Sequence, residues 1–428
     1  MAKKKKKIKE KQKPTRGQLS SWQKQQRRQK IIMYIGIAVV SAALILTGIG
    51  VYYQWYLPDM KPRGDIALEV SGEKYNAGYL IDALDYYTGG QSSYAPYMMT
   101  FLVEQIPKNQ FILEAAEDLG FTVTKDEVKE FIKENNLKDN KAVKDIVETQ
   151  LVLQKLKDEY FSLQVPEYGE QRNVLAMFLE SQGQILEIAS RINAGESFEE
   201  LAAELSLDSY TKDNGGDMDW HPEGILDGLL SSTVVDEYAF NAEVSVLSPP
   251  ILEEEKDKDG GYWLIEITER DPEDENRVYI RAMLLSSEEE ALIVREKLMA
   301  GEDFSELAGE YSQLPEEDGV EERGDLGWIN QGTMTETFDE YAFNAENEPG
   351  VVSMPLKDEE RFTKGGYWLI QVAEKEDNRQ LPEEDRETLI NNLIIDWIDS
   401  LVEDTSVEVI NYVDDEMSDF ILRKLSSG

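Results

Sequence analysis

The chain has 428 residues, with 44 Lys and Arg against 86 Asp and Glu, one histidine and no cysteine. That length spans roughly two to four domains, and 41% apolar residues is too many for a disordered polyanion. The missing cysteine excludes disulfides, thiol catalysis and thiolate metal sites, and the single His221 excludes a multi-histidine zinc site.

Charge divides the chain into compartments. Residues 1–30 hold ten Lys and three Arg against Glu10, a net +12; residues 31–58 hold no charge; the remainder carries −54. Ile31 to Tyr53 is an uncharged run of 23 residues, about 34 Å long as a helix against a hydrocarbon core of roughly 30 Å. Its eleven Ile, Val and Leu residues favour insertion. It is longer than the apolar core of a cleaved signal peptide, and Tyr52, Tyr53, Trp55 and Tyr56 follow as an interfacial belt. Residues 31–56 therefore read as an uncleaved anchor in the lipid bilayer. By the positive-inside rule the basic arm 1–30 is cytoplasmic and the acidic bulk extracytoplasmic. A charge of −54 disfavours nucleic acid as a partner.

Residues 64–165 follow a linker with two prolines, Leu57 to Gly64. They hold the turn Val70-Ser71-Gly72-Glu73-Lys74, a helix with Phe111, Ile112 and Leu113, and a Thr124 to Glu127 capping box ahead of Val128, Phe131 and Ile132.

Residues 166–272 and 273–376 are a repeat. AGESFEELA (194–202) returns as AGEDFSELA (300–308), GDMDW (216–220) as GDLGW (324–328), EYAFNAE (237–243) unchanged at 340–346, and GGYWLIEI (260–267) as GGYWLIQV (365–372). Offsets of 103 to 108 are too long for a solenoid, so each copy is a domain. In each, a strand (Val174 to Leu179; Val278 to Leu285) precedes helices capped at Ser197 and Asp303, a short helix ends at Phe240 or Phe343, and two strands close the unit. Residues 377–428 place Leu389, Ile390, Leu393, Ile394, Trp397 and Ile398 in an apolar stripe too wide to face water.

Gly324-Asp325-Leu326-Gly327-Trp328, followed by Gly332, Met334, Phe338 and Phe343 and by Gly-Tyr-Trp-Leu-Ile, resembles the parvulin (PpiC, rotamase) peptidyl-prolyl isomerase domain. The segment 64–165 is similar to the helical chaperone domain of SurA, PpiD and PrsA-type foldases. The resemblance implies an α+β protein: two parvulin-like domains of β-α3-β-α-β2 order, flanked by an all-α chaperone domain that residues 377–428 complete. It implies a membrane-anchored extracytoplasmic foldase acting on unfolded or secreted polypeptides with X-Pro bonds. A non-catalytic chaperone or peptide-binding scaffold is the alternative.

Rotation of an X-Pro amide breaks no bond. The site needs a dry cradle for the ring and an environment that favours the twisted amide, and no cofactor or metal. By the resemblance, Leu326, Met334 and Phe338 form that cradle with Ile329 beside them, while Met283, Trp368 and Asp208 stand at supporting positions. Parvulin histidines are replaced here by Met177 and Trp263 in the first repeat and by Met283 and Trp368 in the second. The first repeat has Val235 in place of Phe338 and five extra residues between Trp220 and Phe240, so activity is assigned to the second. His221 reads as an incidental surface residue. Glu255, Asp257, Asp259 and Glu266 mimic a calcium loop, but the repeat puts Tyr262 to Ile267 on a strand where that motif needs a helix.

Overall fold

In the computed structural model, residues 33, 40–314, 323–404 and 409–426 are described. The basic arm 1–30, the start of the anchor and the acidic run Glu316 to Asp318 lie outside the described residues. Among the described residues one helix is long and apolar enough to cross a membrane, Val40–Leu57, with a mean hydropathy of 1.2 and no part of it buried. The rest of the chain divides into two units, one running to Leu156 and resuming at Asp396, the other Lys157–Ile395.

Unit 1 is built on β1 (Ile66–Val70) and β2 (Glu73–Asn76), an antiparallel hairpin that turns through Ser71 and Gly72 at positive φ. Asn76 caps the next helix, Ala77–Thr88, by accepting from the Tyr79 N–H at 2.9 Å. Helices Ala95–Asp118, Lys125–Glu134 and Lys141–Glu159 follow, and Thr124 and Glu127 form the reciprocal capping box. The chain returns with a strand (Val409–Asn411) paired to β1 and a helix (Asp415–Ser426) that sends Phe420 and Ile421 into a core with Leu80, Leu84 and Ile146. The segment expected to be all-helical thus contains a three-stranded sheet. Ala67, Leu68 and Val70 are fully buried, and this apolar strand needs pairing on both edges before its backbone can be buried.

Unit 2 holds one six-stranded antiparallel sheet. Its strands are β3 (Tyr168–Leu179), β4 (Asp217–His221), β5 (Ile251–Arg270), β6 (Arg277–Leu285), β7 (Asp325–Asn330) and β8 (Leu356–Gln380), in the order β4-β3-β8-β5-β6-β7. The pairing is not the one that two self-contained repeats would make. β3, which opens the first repeat, pairs with β8, which closes the second, with Met177 opposite Leu369. β6, which opens the second, pairs with β5, which closes the first, with Met283 opposite Leu264. Moving along the repeat by 106 and 105 residues turns one register into the other, so the two repeats have exchanged their closing strands within a single chain.

The sequence predicts two closing strands per repeat, and here they run together. The connections KDKDGG (256–261) and RFTKGG (361–366) lie extended inside β5 and β8 and pair with one another, Lys258 opposite Thr363. Thr363 Oγ1 donates to the Gly260 carbonyl at 2.6 Å, and Lys258 Nζ donates to the carbonyls of Gly365 and Lys364, so each connection latches the other. A Cβ on Gly366 would lie 2.6 Å from the Leu179 carbonyl oxygen, and one on Gly261 would lie 2.9 Å from Leu284. Glycine is required where each crossing strand meets the opening strand of the other repeat. The boundary at 272/273 separates the sequence repeats, but each folded core takes residues from both sides of it.

Candidate functional site

Two equivalent cores lie on corresponding parts of the sheet. The second buries Val278, Ile280, Ala282, Ile329 and Phe338 from its own repeat together with Trp263 and Ile265 from the first, and Leu326 and Met334 pack against it half-exposed. The four residues expected in the cradle therefore meet. Gly324 sets up β7: its φ is +79°, and a Cβ there would lie 2.9 Å from the Ala282 carbonyl oxygen. Asp325 caps the bend by accepting from the Gly327 N–H at 3.0 Å, and Asp339 accepts from the Gly332 N–H, which fixes the loop leading to Met334. The helix Glu336–Ala342 then directs Phe338 inward.

Phe338 is fully buried, so the surface open to a ligand is made by Leu326 and Met334 above it. Its ring stands edge-on to Trp263, with centroids 4.9 Å apart and planes at 80°. Trp263 Nε1 donates to Asp358 Oδ2 at 2.7 Å, and Thr335 Oγ1 donates to the same oxygen. Asp358 is 1% exposed and its other oxygen accepts from the Glu360 N–H. The Arg361 guanidinium lies 5.3 Å from the centre of the Trp263 ring.

The remaining predicted residues lie elsewhere. Met283 points to the opposite face of the sheet, among Phe304, Leu307 and Val294, because strand neighbours alternate faces. Trp368 belongs to the second repeat by position, but strand exchange carries it into the first core beside Phe178, at 4.9 Å between ring centroids. Asp208 is near it. It caps the helix Ser209–Asp213 and pairs with the buried Lys256 at 2.9 Å, and the Lys256 ammonium lies 5.3 Å from the Trp368 ring centre. In this first core Val235 takes the place of Phe338, and the extra residues form a helix, Leu226–Leu230, whose two terminal leucines fill the space. His221 is not a surface residue: its side chain is 15% exposed and Nδ1 lies 2.8 Å from Asp385 Oδ2.

Sequence reasoning missed Trp263 as part of the second core and did not single out Asp358, Thr335 or Arg361. The signal available was the equivalence of Asp358 with Glu253 and of Arg361 with Lys256, each 105 residues apart.

Unit 1 has a separate cavity of about 330 Å³ lined by Tyr75, Tyr79, Ile106, Leu113 and Phe121 with the carboxylates Glu73, Glu114, Glu117, Asp145 and Glu148. The Lys141 ammonium lies 5.3 Å from the Tyr75 ring centre and 5.8 Å from that of Tyr79. Burial pushes the Asp145 carboxyl up to about 6.

The sheet, the helices over it and the apolar cradle define a duplicated α+β domain whose second core presents a half-exposed apolar rim. Residues 179–269 and 281–374 match the rotamase family of PPIC-type PPIase domains. Foldase protein PrsA of Geobacillus kaustophilus is 36% identical over 158 residues, which is 34% of this chain and 53% of that protein. Chaperone SurA of Nitrosococcus oceani is 24% identical over 265 residues, 57% of each chain. The chain thus spans little more than half the length of these two relatives. A solved structure of peptidylprolyl isomerase PrsA from Bacillus cereus aligns over 85% of this chain and 99% of its own, at 13% identity and a TM-score of 0.29.

Proposed function

We propose that the protein is a membrane-anchored extracytoplasmic foldase that isomerises X-Pro bonds in unfolded or secreted polypeptides through the cradle of Leu326, Met334 and Phe338. The observation that carries this reading is the meeting of those three residues in one core of a matched rotamase domain, with the Phe338 ring edge-on to Trp263. The half-exposed Leu326 and Met334 would cover one face of a pyrrolidine ring and exclude water there. A dry cradle favours the twisted amide, whose charge separation is smaller than that of the planar resonance form. A 10⁴-fold acceleration requires only about 5.5 kcal/mol of such differential binding. Read as an anchor, residues 31–56 would add the lipid bilayer to its partners, and the acidic bulk is suited to cationic clients rather than to nucleic acid. The acidic, tyrosine-lined cavity of unit 1 supports a separate role in holding clients.

A second reading, a peptide-binding scaffold without turnover, is favoured by the complete burial of Phe338 and by Trp263 on the closing strand of its core, where the parvulin resemblance expects a histidine. The full chain in nanodiscs, assayed on a chromogenic X-Pro peptide and on aggregation of an unfolded client, separates the two. The foldase accelerates cis–trans exchange at least tenfold and suppresses aggregation. Suppression with no acceleration establishes the scaffold.

A further inference from the structure

Among the buried polar contacts in which the two cores differ, one is complete only where the cradle is. In the second core a single oxygen, Asp358 Oδ2, accepts from Trp263 Nε1 and from Thr335 Oγ1. Trp263 belongs to the first repeat and stands edge-on to Phe338 in the core behind the cradle. Thr335 follows Met334 directly and stands at the N-cap position of the helix that carries Phe338, its hydroxyl turned to Asp358 and not to the helix backbone. One carboxylate oxygen therefore joins that indole to the loop bearing the exposed wall.

At the equivalent place in the first core stands Glu253, 3% exposed, with Ser232 in the position of Thr335. Ser232 Oγ donates to Glu253 Oε2 at 2.7 Å, so the hydroxyl half of the contact is kept. The indole half is absent. Glu253 uses its extra methylene to reach the Thr233 N–H and hydroxyl at 3.0 and 3.2 Å, and Trp368 Nε1 is buried with no partner. A buried carboxylate and a buried indole N–H are each costly to leave unpaired. Sharing one oxygen between two elements from different repeats satisfies both groups and fixes the elements' spacing.

We propose that Asp358 is a positioning residue for the rotamase site, holding Met334 at a fixed distance from Trp263 through Thr335, and that the site is therefore common property of the two repeats. The proposal rests on the isomerase reading above. Asp358 itself touches no substrate. If the loop were free to rise, the ring would still bind against Leu326, but the twisted amide would lose the close wall that distinguishes it from the planar one. The loss therefore falls on kcat rather than on KM.

The test uses the full chain in nanodiscs and steady-state isomerisation of an X-Pro peptide by the wild type, Thr335→Val, Thr335→Ser and Asp358→Asn. Thr335→Val keeps the side-chain shape and removes only the donor. It is expected to lower kcat about tenfold with KM changed less than twofold, and Thr335→Ser is expected to restore kcat to within twofold. Asp358→Asn is expected to lower kcat at least as far as Thr335→Val. Full turnover in Thr335→Val and Asp358→Asn, with a turning-over wild type, overturns the proposal alone. A loss confined to KM, or a Thr335→Ser variant no better than Thr335→Val, overturns it as well. A wild type without turnover defeats the isomerase reading and this proposal with it.

Discussion

The two cores of unit 2 grew from one duplicated sequence and have diverged at a few positions whose consequences can be followed atom by atom. In the first, Val235 replaces a phenylalanine, an inserted helix buries Leu226 and Leu230 in the space that remains, and Lys256 pairs with Asp208 over the Trp368 ring. In the second, Phe338 fills that space from one side only, leaving Leu326 and Met334 half-exposed, and the indole is held by Asp358. The first core has been closed with aliphatic volume and an ion pair. The second keeps an apolar surface at its rim. The difference between the two rims comes from insertion and filling over the same sheet.

The largest effect expected from breaking this comparison is at the paired positions 338 and 235. Phe338→Ala removes a fully buried ring and should cost about 3–5 kcal/mol of unit 2 stability, with loss of isomerisation, whereas Val235→Ala should cost about 2 kcal/mol and leave turnover intact. Chemical denaturation of both variants checks the order. A Phe338→Ala variant as stable as Val235→Ala would mean that the second core is not built around that ring.

A smaller effect sharpens the account of how the repeats are joined. Burial lowers the Lys258 ammonium to about 8 where the extended connections cross, against a usual value of 10.5, although Glu180 and Glu290 oppose the shift. Between those values the unfolded chain binds more protons than the folded one, so folding gains stability as pH rises from 8 to 10.5 and loses it again as pH falls towards 8. The melting temperature of unit 2 should rise by a few degrees across this window relative to a Lys258→Met variant, in which the difference vanishes. Parallel pH profiles for the two chains would place Lys258 in solvent and undo the latch.

Much of this architecture is legible in the residues. The helix N-caps at Ser197 and Asp303, the 105-residue offset and the Gly-Asp-Leu-Gly-Trp strand specify local geometry, and local geometry is what spacing records. The meeting of Leu326, Met334, Phe338 and Ile329 follows because β7 and the next helix are adjacent in sequence. Strand exchange was not legible for a physical reason: GGYWLI occurs in both repeats, so either copy of the closing strand offers β3 and β6 the same face and the same register. Which copy is used depends on whether residues 256–261 and 361–366 bend or run straight. That choice between turn and extended strand is made by contacts between the two connections, Lys258 to Gly365 and Thr363 to Gly260, and no single segment carries it. Trp368 and Trp263 accordingly changed places relative to the reading by position.

The shared site can be tested directly by the same substitution at each indole, since both are fully buried and both lose the same ring volume. Trp263→Phe and Trp368→Phe both keep an aromatic ring and remove the N–H, and the full chain of each is assayed on the same X-Pro peptide. The exchanged fold predicts that Trp263→Phe, a change in the first repeat, lowers turnover by the second repeat's cradle about tenfold, while Trp368→Phe, whose indole N–H has no partner, changes it less than twofold. A turnover that survives Trp263→Phe and collapses in Trp368→Phe would contradict the account, because it would mean that each repeat closes on its own last strand.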